Sequence, residues 1–169
     1  MQIEMHGKDS PLVKSMIFAE FVEEDGDIKV LSQDKMNFAV ETPTRKKDGA
    51  RSAGLDFAAG GDENVYTLRN GNREERVVKW RSKDTMATVG RFLTLIKADN
   101  LEGKDCWADA GGMGIPMCDA LRDAGCVVNR INNGEAAFDS EKYLNRGTEM
   151  WVRYARMIET GKIIPPEDE

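Results

Sequence analysis

A single histidine, three cysteines and no long apolar run close off most common routes to chemistry in this 169-residue chain. His6 sits in a segment without core character, so Ser-His-Asp, Cys-His and histidine-metal arrangements are excluded as working readings. Cys106, Cys118 and Cys126 are odd in number and form no CxxC. They predict buried thiols rather than a disulfide framework or a zinc site. No apolar stretch approaches the ~20 residues of a bilayer span, and Met1 to His6 lacks the basic and apolar regions of a signal peptide. A cytoplasmic setting is the expectation. A GxxxxGK[ST] loop is missing as well, so this chain offers no ATP site of that type. Nor is there an excess of positive charge: 24 basic against 30 acidic residues leave −6, which disfavours a nucleic-acid partner unless the charge is unevenly spread.

What is present is globular. Hydrophobic residues make up 40% and charged residues 32%, enough for one domain with a core plus an appendage. Residues 1–50 have little periodicity and read as a linker-like arm. Within it, Met16 to Phe21 forms one short apolar element, and Glu23 to Asp27 and Arg45 to Gly49 read as exposed turns. Residues 51–169 are more regular. Ala53 to Phe57 is a short strand, and Asn64 to Arg69 and Glu75 to Trp80 are two more. The last two flank Asn70-Gly71-Asn72, a hairpin signal because glycine supplies positive φ at low cost. After Asp84, a plausible N-cap, Met86, Val89, Phe92, Leu93 and Ile96 trace one helical face. Asp105 to Asp109 predicts a strand, Ile115 to Ala124 a helix stopped by Gly125, and Cys126 to Ile131 a strand before Asn132-Asn133-Gly134. Gly147 to Ile158 predicts a last helix, closed by Gly161 and Pro165-Pro166.

The order β-β-β-α-β-α-β-α is that of the α/β ribonuclease H-like mixed sheet, in which the first and fourth strands are neighbours. Asp56 is read as lying in the middle of the first strand and Asp109 at the end of the fourth. Each interrupts an apolar run, Leu55-Asp56-Phe57 and Trp107-Ala108-Asp109. A carboxylate in such a run is costly unless it is paired or holds a cation. Two convergent carboxylates suit Mg2+ or Mn2+, with water and phosphate oxygens completing the shell. With two ions ~4 Å apart, one activates water and the other stabilises a leaving oxygen. Loop-edge acids or ion-pair partners are the competing reading. The glycines that follow, Gly60-Gly61 and Gly111-Gly112-Met113-Gly114, serve either as turns or as places where a DNA backbone comes close.

Three strings resemble the nuclease domain of the large terminase subunit of tailed bacteriophages and prophages. They are Gly54-Leu55-Asp56-Phe57-Ala58-Ala59-Gly60-Gly61-Asp62, Trp107-Ala108-Asp109-Ala110-Gly111-Gly112-Met113-Gly114, and the segment Tyr143-Leu144-Asn145-Arg146-Gly147-Thr148-Glu149-Met150-Trp151. His6 to Pro11 resembles the stretch leaving that family's ATPase domain. The resemblance implies a Mg2+- or Mn2+-dependent endonuclease acting on double-stranded DNA during packaging in the bacterial host. Asp56 and Asp109 match two of the family's three metal-binding, catalytic acids. Small terminase and portal proteins are implied partners. The third acid belongs to a serine-proline-aspartate motif not found before Glu169, so the domain over 51–169 is expected to be incomplete at its C-terminus. Glu135, Asp139 and Glu149 are the nearest substitutes, and the tail acids Glu167, Asp168 and Glu169 match nothing in the family. The alternative is a catalytically impaired prophage remnant kept as a DNA-binding or assembly module. A junction resolvase fits less well, because the N-terminal arm follows the terminase order.

Charge is indeed uneven. Arg69, Arg73, Arg76, Lys79, Arg81 and Lys83 stand against Glu74 and Glu75, a local +4 on the hairpin. Such a patch would neutralise phosphates without reading sequence; an ordinary solvated hairpin is the other reading. On the last helix Arg146, Arg153 and Arg156 alternate with Glu149 and Glu159, as an exposed face does. Trp80, Trp107 and Trp151 fall at expected core positions, which argues against base stacking.

Overall fold

The computed structural model describes residues 31, 33–41, 48–58 and 60–165. His6, the element at Met16 to Phe21, the turn at Glu23 to Asp27, Arg45 to Lys47 and the tail acids lie outside the described residues. Nine elements follow in chain order: α1 (Gln33–Glu41), β1 (Arg51–Asp56), β2 (Asn64–Asn70), β3 (Arg73–Trp80), α2 (Thr85–Ala98), β4 (Cys106–Asp109), α3 (Gly114–Asp123), β5 (Asn129–Ile131) and α4 (Arg146–Glu159). They form a mixed five-stranded sheet of order β3-β2-β1-β4-β5, antiparallel through β1 and parallel from β1 to β5. From β1 onward this is the expected β-β-β-α-β-α-β-α order.

The hairpin turns at Gly71, whose φ of +57° suits a residue without a Cβ. A bulge lets Arg76 face Leu68 while Glu74 faces Arg69, so β3 starts at Arg73 rather than Glu75. The edge of β3 is covered where Ile164 N–H donates to the Asn72 carbonyl at 2.7 Å and Glu74 N–H to the Ile164 carbonyl at 3.1 Å. β5 is shorter than the apolar run 126–131 predicts. β4 begins only at Cys106, after a 3-10 turn at Gly103–Asp105, and pairs with β5 from Trp107 onward, so residues 126–128 stay outside the ladder.

Alternation along the strands divides the sheet into two faces. Ala53, Leu55, Tyr66, Leu68, Cys106 and Ala108 point to one face and are buried with Val89, Phe92 and Ile96 of α2 and Met117, Cys118 and Leu121 of α3. Phe92 is the hub, with ring centroids 4.7 Å from Trp80 and 5.1 Å from Phe57. Each large apolar side chain buried here contributes about 1.5–3 kcal/mol. Cys106 and Cys118 are buried thiols as expected, while Cys126 is only half-buried. Asp84 caps α2 by accepting from Ala87 N–H at 2.9 Å.

Two expectations are corrected, and one element is added. Within the arm that the sequence reads as linker-like, α1 packs against α4, with Lys35 2.6 Å from Glu159. Its sequence lacks a strong apolar face, and its exposed Phe38 shows why periodicity did not reveal it. Trp107 and Trp151 are 42% and 68% exposed, so only Trp80 is a core residue. Trp107 alternates with buried Cys106 and Ala108, which turns it to the other face. Finally, Asp56 ends β1 rather than lying in its middle, and it is exposed because its neighbour Leu55 takes the inward position.

Candidate metal centre

The face opposite α2 and α3 carries a cleft of about 380 Å³, lined by residues of β1, β2, β4 and β5 together with Asn133 and Met150. Asp56 and Asp109 lie at its head. β1 and β4 pair in parallel with Ala53 beside Cys106 and Leu55 beside Ala108. One step further along this register the chain sets Asp56 beside Asp109, both at the carboxyl ends of their strands. Ligand sites of open α/β sheets gather at such ends, because the side chains there are released from the ladder while their backbones remain fixed by it.

The two carboxylates feel each other. Desolvation within the cleft, then the negative charges of Asp109 and Asp62, push the Asp56 carboxyl above its ordinary range, with the Phe57 N–H opposing them. Asp109 is held at both oxygens. Gly111 N–H donates to Oδ1 at 2.8 Å and Asn133 Nδ2 to Oδ2 at 3.0 Å. Gly114 opens α3 against the Asp109 carbonyl, where an added Cβ would sit 1.8 Å from the oxygen. The glycines after Asp109 therefore allow the chain to turn tightly around the acid, a role internal to the fold. Gly60, at φ +91°, lies so close to Lys83 that a Cβ would come within 2.6 Å of its side chain.

The other sequence candidates lie elsewhere. Glu149 is 1% exposed. Its Oε2 accepts from Phe138 N–H at 2.6 Å and its Oε1 pairs with Arg153 at 2.6 Å, which ties the 138 loop to α4. Asp139 binds Lys142 at 2.7 Å, a contact that holds its carboxyl below the ordinary range. Glu135 is 3.8 Å from Arg146. None of the three lines the cleft. Among the described residues no group of three or more His, Cys, Asp and Glu gathers in a metal-binding arrangement. The donors present at the acid pair are carboxylate oxygens, hard ligands that fit Mg2+ or Mn2+ with the rest of the shell left to water or substrate.

The basic stretch is split by the sheet. Lys79 pairs with the cleft residue Val65, and cross-strand partners share a face, so Lys79 and Arg69 lie on the side of the acids. Arg76 is on the other side, 2.6 Å from Asp99, which also accepts from Tyr66 Oη at 2.7 Å. Arg73, opposite Asn70, shares that side. Arg81 is 3.8 Å from Glu63. Arg69 donates to the Gly71 carbonyl at 2.9 Å. Among the described residues Arg73, Lys79 and Lys83 form no ion pair within 4 Å.

Sequence reasoning missed Asn133 and Trp107. Asn133 had a signal: it follows the fifth strand closely, at the same sheet end as both acids. Trp107 had one in its strict alternation with the apolar residues on either side.

No protein-family model and no curated protein sequence matches the chain. Solved structures do. The nuclease domain of the large terminase subunit of bacterial virus Sf6 superposes with a TM-score of 0.66 at 15% identity, over 79% of this chain. This chain spans 65% of the length of that domain. The large terminase nuclease of thermophilic phage G20c superposes at 0.58 and 16% identity, over 83% of this chain and 75% of its own. Related structures of the two contain manganese and magnesium respectively. The chain has the ribonuclease H-like fold of large terminase nuclease domains.

Proposed function

We propose that this chain is a terminase-type nuclease domain that hydrolyses phosphodiesters of double-stranded DNA with Mg2+ or Mn2+ held by Asp56 and Asp109. The observation that carries this reading is the pair itself: two carboxylates at adjacent carboxyl ends of parallel strands, in a cleft of a fold shared with nucleases solved with manganese and magnesium. A bound divalent ion supplies the positive charge that acidifies a water and stabilises charge developing on phosphate oxygens. In its two-ion form, Asp56 and Asp109 would share the ions between them. Asp109, fastened by Gly111 and Asn133, supplies oxygens in fixed orientation, and Asp56 a second carboxylate whose charge is costly until a cation offsets it. Lys79 and Arg69, on the same sheet face, would lie along the phosphate track. Small terminase and portal proteins are the partners this reading carries with it.

Plasmid nicking in Mn2+ tests the proposal. The wild-type chain is expected to relax supercoiled DNA, and Asp56→Asn and Asp109→Asn to do so at least about 100-fold more slowly, as loss of metal-borne stabilisation predicts. Equal cleavage by all three would overturn it.

A second reading is a catalytically impaired remnant that keeps the fold as a DNA-binding or assembly module without cutting. Mn2+ binding and DNA binding without nicking would select it.

A further inference from the structure

We infer that Asn133 is a positioning residue of this centre, whose side-chain amide fixes the Asp109 carboxylate for cation binding. This rests on the metal-dependent reading above. Three neighbouring parallel strands end at the cleft, and each contributes one polar side chain there: Asp56 from β1, Asp109 from β4 and Asn133 just beyond β5. Asn133 Nδ2 donates to Asp109 Oδ2 at 3.0 Å while Gly111 N–H holds Oδ1 at 2.8 Å. A carboxylate with one donor on each oxygen cannot rotate about its Cβ–Cγ bond without losing one of them. Each oxygen still has a lone pair for a cation. Outer-shell donors of this kind commonly fix ligating carboxylates. A carboxylate in place of Asn133 would repel Asp109 where the amide attracts it.

The backbone of Asn133 has a separate task. Its carbonyl accepts from Gly147 N–H at 3.0 Å, in the first turn of α4, and a Cβ on Gly147 would lie 3.2 Å from the Asn133 Cβ. The loop is anchored by main chain, which leaves the amide side chain to Asp109. The same residue thus joins the start of α4 to the acid pair.

The experiment is a Mn2+ titration of the full chain followed by electron paramagnetic resonance, with metal-free melting curves alongside. Asp109→Asn should lose the tight site. Asn133→Ala and Asn133→Leu, the second similar in size but without the amide, should each weaken Mn2+ about 10–100-fold. Both should alter the line shape of bound Mn2+ and leave the metal-free melting midpoint unchanged. Wild-type affinity and line shape in Asn133→Ala, with Asp109→Asn silent, would overturn this inference alone. So would recovery in Asn133→Leu, because packing rather than donation would then be responsible. A drop in affinity that only follows a lower metal-free midpoint would overturn it as well. Wild-type binding no tighter than that of Asp109→Asn would overturn the metal reading, and this inference with it.

Discussion

Asp56 and Asp109 have similar chemistry and different surroundings. Asp109 is tethered at both oxygens, whereas Asp56 is exposed and carries an unfavourable charge. Its carboxyl holds a proton to higher pH in the folded chain than in the unfolded one, where the ordinary value is 3.8. The folded state therefore binds more protons between the two values, and stability falls as pH rises from 3.8 through the raised value. Above that window the penalty is complete. Asp56→Asn should thus raise the melting midpoint at pH 7 by about 1–2 °C, the modest scale of an exposed charge interaction. Urea denaturation near pH 3.5 should show no such advantage. Mn2+ should reverse the order at pH 7: wild type gains about 2.7 kcal/mol at a hundredfold excess over Kd, and Asp56→Asn much less, as melting with and without metal will show.

The elements around the centre depend on a few turn and cap positions. Gly114→Ala drives a methyl into the Asp109 carbonyl, so α3 and β4 must separate. A loss of about 2–4 kcal/mol in chemical denaturation is expected, with Mn2+ affinity falling as Asp109 shifts. Asn145 caps α4 by accepting from Thr148 N–H at 2.8 Å. Asn145→Ala should cost about 1 kcal/mol by the same measurement. The string Tyr143 to Trp151 is largely accounted for by such contacts: Asn145 the cap, Arg146 stacked 3.7 Å over Phe138, Glu149 buried against the 138 loop. Those contacts make Glu149 a brace of the loop and helix, away from the lining of the cleft.

At the scale of the whole molecule, the sheet sorts charge. Six basic residues within fifteen look like one patch in sequence, but strand alternation and the bulge send Arg69 and Lys79 to the acid face and Arg76 to Asp99. Lys79→Ala should weaken DNA binding and lower the slope of log K against log salt by about 1 in a fluorescence titration. Arg76→Ala should leave that slope unchanged and cost about 1 kcal/mol of stability instead, since it removes a partner from nearly buried Asp99. Equal salt slopes for the two variants would show that the sorting has no consequence for binding.

The sequence by itself determined the order of elements from Arg51 onward, the hairpin, the cap at Asp84, and the adjacency of Asp56 and Asp109. All are local patterns, or follow from a strand order that local patterns imply. Only the tertiary structure decided what depends on which face a side chain takes and what comes near it from far along the chain. It exposed Trp107, turned Arg76 away from the cleft, packed the weakly patterned α1 onto α4, and brought Asn133 across 24 residues to the second oxygen of Asp109. Periodicity records how a residue relates to its own element, and a neighbour supplied by another element leaves no trace in it.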